Sequence, residues 1–397
     1  MTRPIPHRVG VYLAVVQLLF TTTWTVYVIY LPALAAQVGI AKEDVPYILV
    51  LDQAIFVCTD LAMGIAADRV SRALGRLGPF VLGATLLSCA AFFVLPRVTA
   101  GGAAWPFLAL AIVWSASSSA LRAPPLVLLG KYAAKPAQPW LAGLSLLGLG
   151  VANAIAPLAT VALRDVDPRA PFAAASVALA LATGGIVWAE RHLARQAPAP
   201  ADAPRARAGA AGPWFFAGVA LLGLGLQIHF AVNSAPLYLR FAPAAELPHL
   251  MPVFWIGFSL LMLPATWAVR RVGGLAVMGA GALVGAVATR LAAEAGGLPA
   301  EVGAQLLCGG AWGCVAMSAV AAALTVGRPG REGALTGALF AGLALAAGTR
   351  IVLVAAKLPQ NPLVAPILTW TPLVAWAVGG VAFLVAAWRA RTVKTPA

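Results

Sequence analysis

Runs of about twenty apolar residues alternate along this chain with short polar turns, and each run has the length that crosses a hydrocarbon layer as a helix. The pattern predicts helices near 9–36, 46–67, 77–96, 104–130, 139–162 and 170–189, and again near 213–238, 248–269, 274–296, 302–326, 333–356 and 363–388. The expected fold class is therefore all-α and polytopic, with about 12 transmembrane helices. Between the two sets, ERHLARQAPAPADAPRARAGAAG (190–212) is rich in Pro, Ala and Arg and reads as a flexible linker. It divides the chain into a six-helix bundle over 1–189, the linker over 190–212, and a second six-helix bundle over 213–397.

Composition supports lipid as the solvent. Hydrophobic residues make up 61% and charged residues 10%, against about 25% charged in soluble domains. Abundant Ala and Gly let membrane helices approach closely. The N-terminus imitates a signal peptide, with Arg3 and Arg8 before an apolar run and ALAA at 33–36, but the run is too long for a signal core and reads as a retained first helix. The four cysteines fall inside apolar segments with no zinc-ligand spacing, so they read as packing residues.

A net charge of +14 would suggest nucleic acid in a soluble protein. Here there is no basic domain outside the apolar segments, so that class is excluded. The basic residues gather instead on one side of the predicted bundle: Arg3, Arg8, Arg69, Arg72, Arg76, Lys131, Lys135, Arg191, Arg195, Arg205, Arg207, Arg270, Arg271, Arg328, Arg331, Arg389, Arg391 and Lys394. The opposite loops hold Lys42, Arg97, Arg164, Arg169, Arg240 and Lys357. By the positive-inside rule, both termini and the linker are expected in the cytoplasm of a multi-pass protein of the plasma (bacterial inner) membrane.

The two sets of helices are faintly alike. VIYLPALA ends the first helix with Pro32, NSAPLYLRFA ends the seventh with Pro236, and basic turns follow at similar distances, at Arg69 and at Arg270 and Arg271. Such repeats place a site between halves. The turn after the second helix reads MGIAADRVSRALGR (63–76). Its Gly64-x-x-x-Asp68-Arg69-x-Ser71-Arg72 resembles the signature loop of the major facilitator superfamily, with Ser71 where a second glycine is usual. The resemblance implies six plus six helices, alternating access, and a central cavity lined by helices 1, 4, 7 and 10. It also implies a conformational latch at Gly64, Asp68, Arg69 and Arg72. In that latch Gly64 allows close helix approach, and Asp68 pairs with arginine or caps a helix N-terminus. The competing expectation is a solvated basic loop.

Ionisable side chains at membrane depth are costly and so mark function. Asp60, mid-way along helix 2, is the expected proton carrier, with an ion-pair partner role as the alternative; Asp52, nearer the outer end, is expected to be wet. Trp114, Ser118 and Arg122 are spaced to share one face of helix 4, and Arg122 followed by Gly130 resembles the arginine motif of proton-linked members of the superfamily. Arg122 would contact an anionic substrate, modulate Asp60, or hold the bundle together as an ion pair. His229 on helix 7 is a second proton-coupling candidate or a hydrogen-bonded packing residue. The remaining cavity candidates are Gln17, Thr21 and Trp24 on helix 1, Gln227 and Asn233 on helix 7, Gln305 and Trp312 on helix 10, and Arg350 on helix 11. Arg290 is expected to snorkel to the interface.

No zinc-protease, nucleophile-elbow, phosphate-loop or dithiol motif occurs, so no enzyme, cofactor or metal site is expected. Helix 5 has Ala156-Pro157 where the superfamily's antiporter motif has Gly-Pro, which weakens a drug-antiport reading. The expected function is secondary active transport of a small organic solute, anionic or amphiphilic, coupled to protons by a monomer in the lipid bilayer. Multidrug efflux by proton antiport is the alternative, and a non-transporting scaffold or sensor the second.

Overall fold

The computed structural model describes residues 6–99, 102–196, 211–326 and 331–392. Among the described residues twelve helices are long and apolar enough to cross a membrane. They are α1 (His7–Gln37), α2 (Lys42–Leu74), α3 (Gly78–Val98), α4 (Ala104–Tyr132), α5 (Lys135–Ala162), α6 (Arg169–Arg195), α7 (Trp214–Tyr238), α8 (Ala244–Val272), α9 (Gly274–Ala293), α10 (Leu298–Leu324), α11 (Glu332–Ala355) and α12 (Ala365–Arg389). The shortest has 20 residues, about 30 Å at 1.5 Å per residue, enough for a hydrocarbon core. A helix is the form that lets a single segment satisfy its own backbone in lipid.

Within the first six, α1 packs on α5 and α6, and α3 on α4 and α6; within the last six, α7 packs on α11 and α12, α8 on α10, and α9 on α10 and α12. Two long seams join the sets, α2 against α11 and α5 against α8. Successive helices alternate in direction, so α1 begins and α12 ends at the same face, here called the basic end. Arg3, Arg205, Arg207, Arg328 and Lys394 lie outside the described residues, as do residues 197–210 of the segment 190–212 expected to be a linker.

Helix ends differ from expectation in two places that matter. Helix α2 does not stop at 67 but continues to Leu74, so Asp68, Arg69 and Arg72 sit on a helix rather than in a loop. The last turns of α6 run on to Gln196, through residues read as linker. Glu190 is only 4% exposed there, and its two oxygens accept from the Leu77 and Gly78 amides at 2.6 and 2.8 Å. Those amides open α3 and have no intrahelical partner. A buried acid capping a neighbouring helix is thus structural, and the linker begins later than expected.

Three interruptions position the polar groups. In α4, regular helix ends at Ser118, a short tight turn covers Ser119–Leu121, and helix resumes at Pro124. Pro125 has no N–H for the Leu121 carbonyl, and the Gln17 amide of α1 donates to it instead at 2.8 Å. In α7, His229–Asn233 form a π-helical turn, and the Ser234 hydroxyl donates to the His229 carbonyl at 3.0 Å. In α6 the helix breaks at Gly184 and Gly185.

Close crossings use glycine. A Cβ on Gly309 of α10 would be driven into the Phe254 carbonyl of α8. Gly309→Leu should therefore separate α8 from α10 and cost about 1–3 kcal/mol or more. The check is thermal unfolding of purified protein; an unchanged midpoint would show that the crossing yields without cost.

Candidate functional site

At the basic end, α2 meets the start of α11. Gly64 faces Gly333 and Gly337, so the two backbones touch and any side chain at Gly64 would strike the Gly333 carbonyl. One turn further, Asp68 is 5% exposed. Its two carboxylate oxygens accept from the Gly333 and Ala334 amides at 2.8 and 2.9 Å. Arg331, the residue before α11, offers no side-chain cap. An acid from α2 therefore caps α11, with the helix dipole adding to the attraction. Each such charge-assisted bond is worth about 1.5–3 kcal/mol net.

Of the alternatives for Asp68, the helix cap is the one present. Arg72 reaches the Asp68 backbone carbonyl through Nε at 3.2 Å, not the carboxylate. Arg69 is exposed and outside the contact. One residue past Asp68 turns the side chain about 100° round the helix, away from α11. Ser71 accepts or shares a hydrogen bond with Lys131 Nζ from α4 at 2.6 Å. A Cβ added to Gly130, also on α4, would meet Leu324 of α10 and Glu332 of α11. The basic end is thus closed by α2, α4, α10 and α11 together.

Deeper in the bundle, Asp60 and Arg122 form an ion pair at 2.7 Å. The Asp60 side chain is wholly buried and that of Arg122 is 19% exposed. Arg122 occupies the interruption in α4, with φ −90° and ψ −70°, so the pairing depends on the break that the two prolines impose. Its guanidinium also lies over the Phe56 ring of α2 at 4.7 Å and the Phe340 ring of α11 at 5.4 Å, within cation–π range. Arg122 therefore bridges α2 and α11 at the level where Gly337 touches the Asp60 carbonyl.

Asp52 is not wet. It is 1% exposed, and it accepts from Tyr27 at 3.0 Å and from Ser115 at 2.6 Å. The rings of Trp24, Tyr27, Phe92 and Trp114 stack beside it and exclude water. Trp114 belongs to that packing and is 2% exposed. Ser118 is buried and donates to the Ser115 carbonyl; it shares a face of regular helix with Trp114, while Arg122 lies past the interruption, where that spacing no longer applies.

In the second set, His229 is buried and its Nε2 lies 3.1 Å from Gln305 Oε1. Gln305 Nε2 donates to Glu301 Oε1 at 2.8 Å, and the Ser234 hydroxyl donates to Gln305 Oε1 at 3.2 Å. Glu301 escaped the sequence reading because helix 10 was expected to start at 302. Pro299 at the opening of the span, and the Glu301, Gln305, Cys308, Trp312 spacing on one face, were the available signals. Trp312 stacks on Trp376.

Other candidates separate into buried and accessible. Gln17 and Thr21 are buried, whereas Trp24, Gln227, Asn233 and Arg350 are partly exposed. Asn233 donates to the Leu368 carbonyl at 3.1 Å. Arg350 differs from Arg122: it forms no ion pair or hydrogen bond among the described residues, and its Nε is buried without a partner. Arg290 pairs with Glu294 at 2.8 Å, both more or less half exposed, as an interfacial arginine would be. Among the described residues no His, Cys, Asp and Glu group is arranged to hold a metal ion.

No family model and no curated protein matches the sequence. Solved structures do match the fold. The human organic anion transporter MFSD10 (TETRAN) superposes with a TM-score of 0.66 at 16% identity, over 97% of this chain and 99% of that one. The E. coli fucose:proton symporter FucP gives 0.66 at 14% identity, over 95% and 98%. The chain has the major facilitator fold. The proton:xylose symporter XylE, a structure of that superfamily, agrees at 0.61 and 12% identity, over 96% and 94%. In the terms of the major facilitator fold, the Asp68 cap sits where helices 2 and 11 meet.

Removing the cap should loosen the basic end. With the four native cysteines replaced and Leu324→Cys as a reporter, Asp68→Ala should raise labelling by a membrane-impermeant maleimide about tenfold or more. Equal labelling rates with and without Asp68 would show that the cap does not hold the closure.

Proposed function

We propose that the chain is a secondary active transporter of a small organic anion, working by alternating access. Two rocking units, 1–189 and 213–397, would be joined through the segment 190–212, with the basic end in the cytoplasm of a plasma membrane. The observation that carries the reading is Arg350. It is a guanidinium at membrane depth with no protein partner among the described residues. Arg350 is partly exposed but its Nε is buried, and a planar guanidinium fork so placed without an acid is costly unless a carboxylate or similar anion meets it. Arg122 cannot serve equally, because Asp60 already occupies it. That the human neighbour is an organic anion transporter agrees with the charge of the proposed solute.

Proton coupling follows from the same accounting of charge. Asp60 and Arg122 are stable together only while Asp60 is ionised. A proton on Asp60 would leave Arg122 unpaired and weaken its bridge from α2 to the Phe340 ring of α11. Loading a proton would then loosen the α2–α11 seam that the Asp68 cap closes. The neighbours FucP and XylE are proton symporters, which supports a proton as the coupling ion.

Two outcomes test this reading. In a thermal-shift panel of organic carboxylates, neutral sugars and lipophilic cations, carboxylates should stabilise the native protein by mass action. Arg350→Lys should weaken that binding about ten- to a hundredfold, because Lys cannot supply the fork. Stabilisation by cations alone would favour drug efflux, and by none a scaffold. In proteoliposomes, Asp60→Asn should abolish accumulation driven by a pH gradient while sparing downhill exchange. Continued concentrative uptake by that variant would remove Asp60 from the coupling step.

A further inference from the structure

Beside the Asp60–Arg122 pair, a second buried acid lies in the other six helices and forms no ion pair among the described residues. Glu301 is fully buried in the first turns of α10, at the end of the bundle opposite the basic end. Its Oε1 accepts from Gln305 Nε2 at 2.8 Å, while its Oε2 has no hydrogen-bond partner among the described residues. The Tyr238 hydroxyl of α7, close enough to feel the Glu301 charge, is also buried and unpartnered. Arg240, just beyond α7, is near enough for its charge to act on Glu301, but its guanidinium donates to the Ala293 and Ala295 carbonyls at 2.8 and 3.0 Å and not to the carboxylate. Cys308 on α10 is buried nearby. The ionisable residues of α9, Arg290 and Glu294, are paired to each other and about half exposed.

The geometry points to Glu301 as a proton-binding site, read out by His229 through rotation of the Gln305 amide. As a coupling site this rests on the transport reading; as a proton site it rests on the hydrogen bonds alone. With Glu301 ionised, Gln305 must turn its NH2 to the carboxylate and its oxygen to His229. A carbonyl oxygen only accepts, so His229 carries its ring proton on Nε2. A proton taken from the outer side and carried on Oε1, the oxygen that faces Gln305, turns that atom from acceptor to donor; carried on Oε2 it would leave the Gln305 contact as it is. With the proton on Oε1, Gln305 turns its oxygen to Glu301 and its NH2 to His229; the ring gives its Nε2 proton to solvent water and takes one from water at Nδ1, so it stays neutral and accepts at Nε2. Ser234 gives up Gln305 but keeps the His229 carbonyl at 3.0 Å. Gln305 lies one turn deeper than Glu301, about 6 Å along α10. The signal therefore passes from the outer end of the bundle to the π-helical turn of α7.

The test is nitrogen NMR of the full chain in lipid nanodiscs with 15N-histidine. The sequence has four histidines, and loss of one signal in His229→Gln assigns His229. The native protein should switch from the Nε2–H to the Nδ1–H tautomer as the pH falls. In Glu301→Gln the ring should hold one form at all pH values. Gln305→Met should also stop the response, while the infrared carbonyl band of protonated Glu301, assigned by its absence in Glu301→Gln, still titrates. A native His229 that never changes tautomer, or goes directly to the imidazolium, overturns the proposal, as does a switch that survives either variant. No solute or transport is needed, so failure of the anion-transport reading would leave the result interpretable.

Discussion

Pro125 withholds an N–H from the Leu121 carbonyl, and inside a bilayer no water stands ready to replace it. Gln17 of α1 reaches across and supplies the missing donor. The same need recurs wherever a helix starts, stops or is interrupted. Glu190 serves the free amides of α3 and Asp68 those of α11, and at the π turn the Ser234 hydroxyl adds to its own backbone N–H at the His229 carbonyl. Polar side chains in this chain are thus first of all partners for backbone groups, and several residues with the look of a solute lining turn out to be engaged in that way.

Once those are set aside, the buried charges sort by what balances them. Asp68 is balanced by two amides and a helix dipole, and Asp60 by a guanidinium. Asp52 has two hydroxyl donors, Glu301 one amide, and Arg350 no acid. In a medium of low dielectric these differences separate groups that hold structure from groups whose charge has to be met by something that comes and goes. Proton and anion are the partners proposed for the unbalanced ones.

The twelve helices and the Gly64–Asp68 pattern were legible because both are local: length, apolarity and a short spacing suffice. Helix 2 was placed correctly through Asp60, and the possibility that Asp68 caps a helix could be stated from its position. Which helix it caps could not, since α11 begins more than 260 residues later in the chain. Asp52 was misjudged because distance from a helix end says nothing of the aromatic rings of α1 and α4 that seal it. Glu190 and Glu301 were lost at helix termini, where hydropathy fades and a charged residue reads as loop. The helical register of Trp114 and Ser118 could not be extended to Arg122 because the break before the paired prolines interrupts the period on which it relied.

The Asp68 contact also has a consequence for the chain's evolutionary record. Its acceptor is a side chain, but its donors are main-chain amides: nearly any residue would supply the one at 334, while Gly333 is held to glycine by the Gly64 and Asp68 atoms packed against it. Substitutions at Ala334 would leave the lock intact, whereas one at Asp68 would leave no position on α11 able to compensate. Comparison of pairwise sequence covariation would therefore pass over one of the firmest links between the two sets of helices. It would register as a fixed acid and a fixed glycine with no exchange of side chains between them, the bond itself written into backbone geometry.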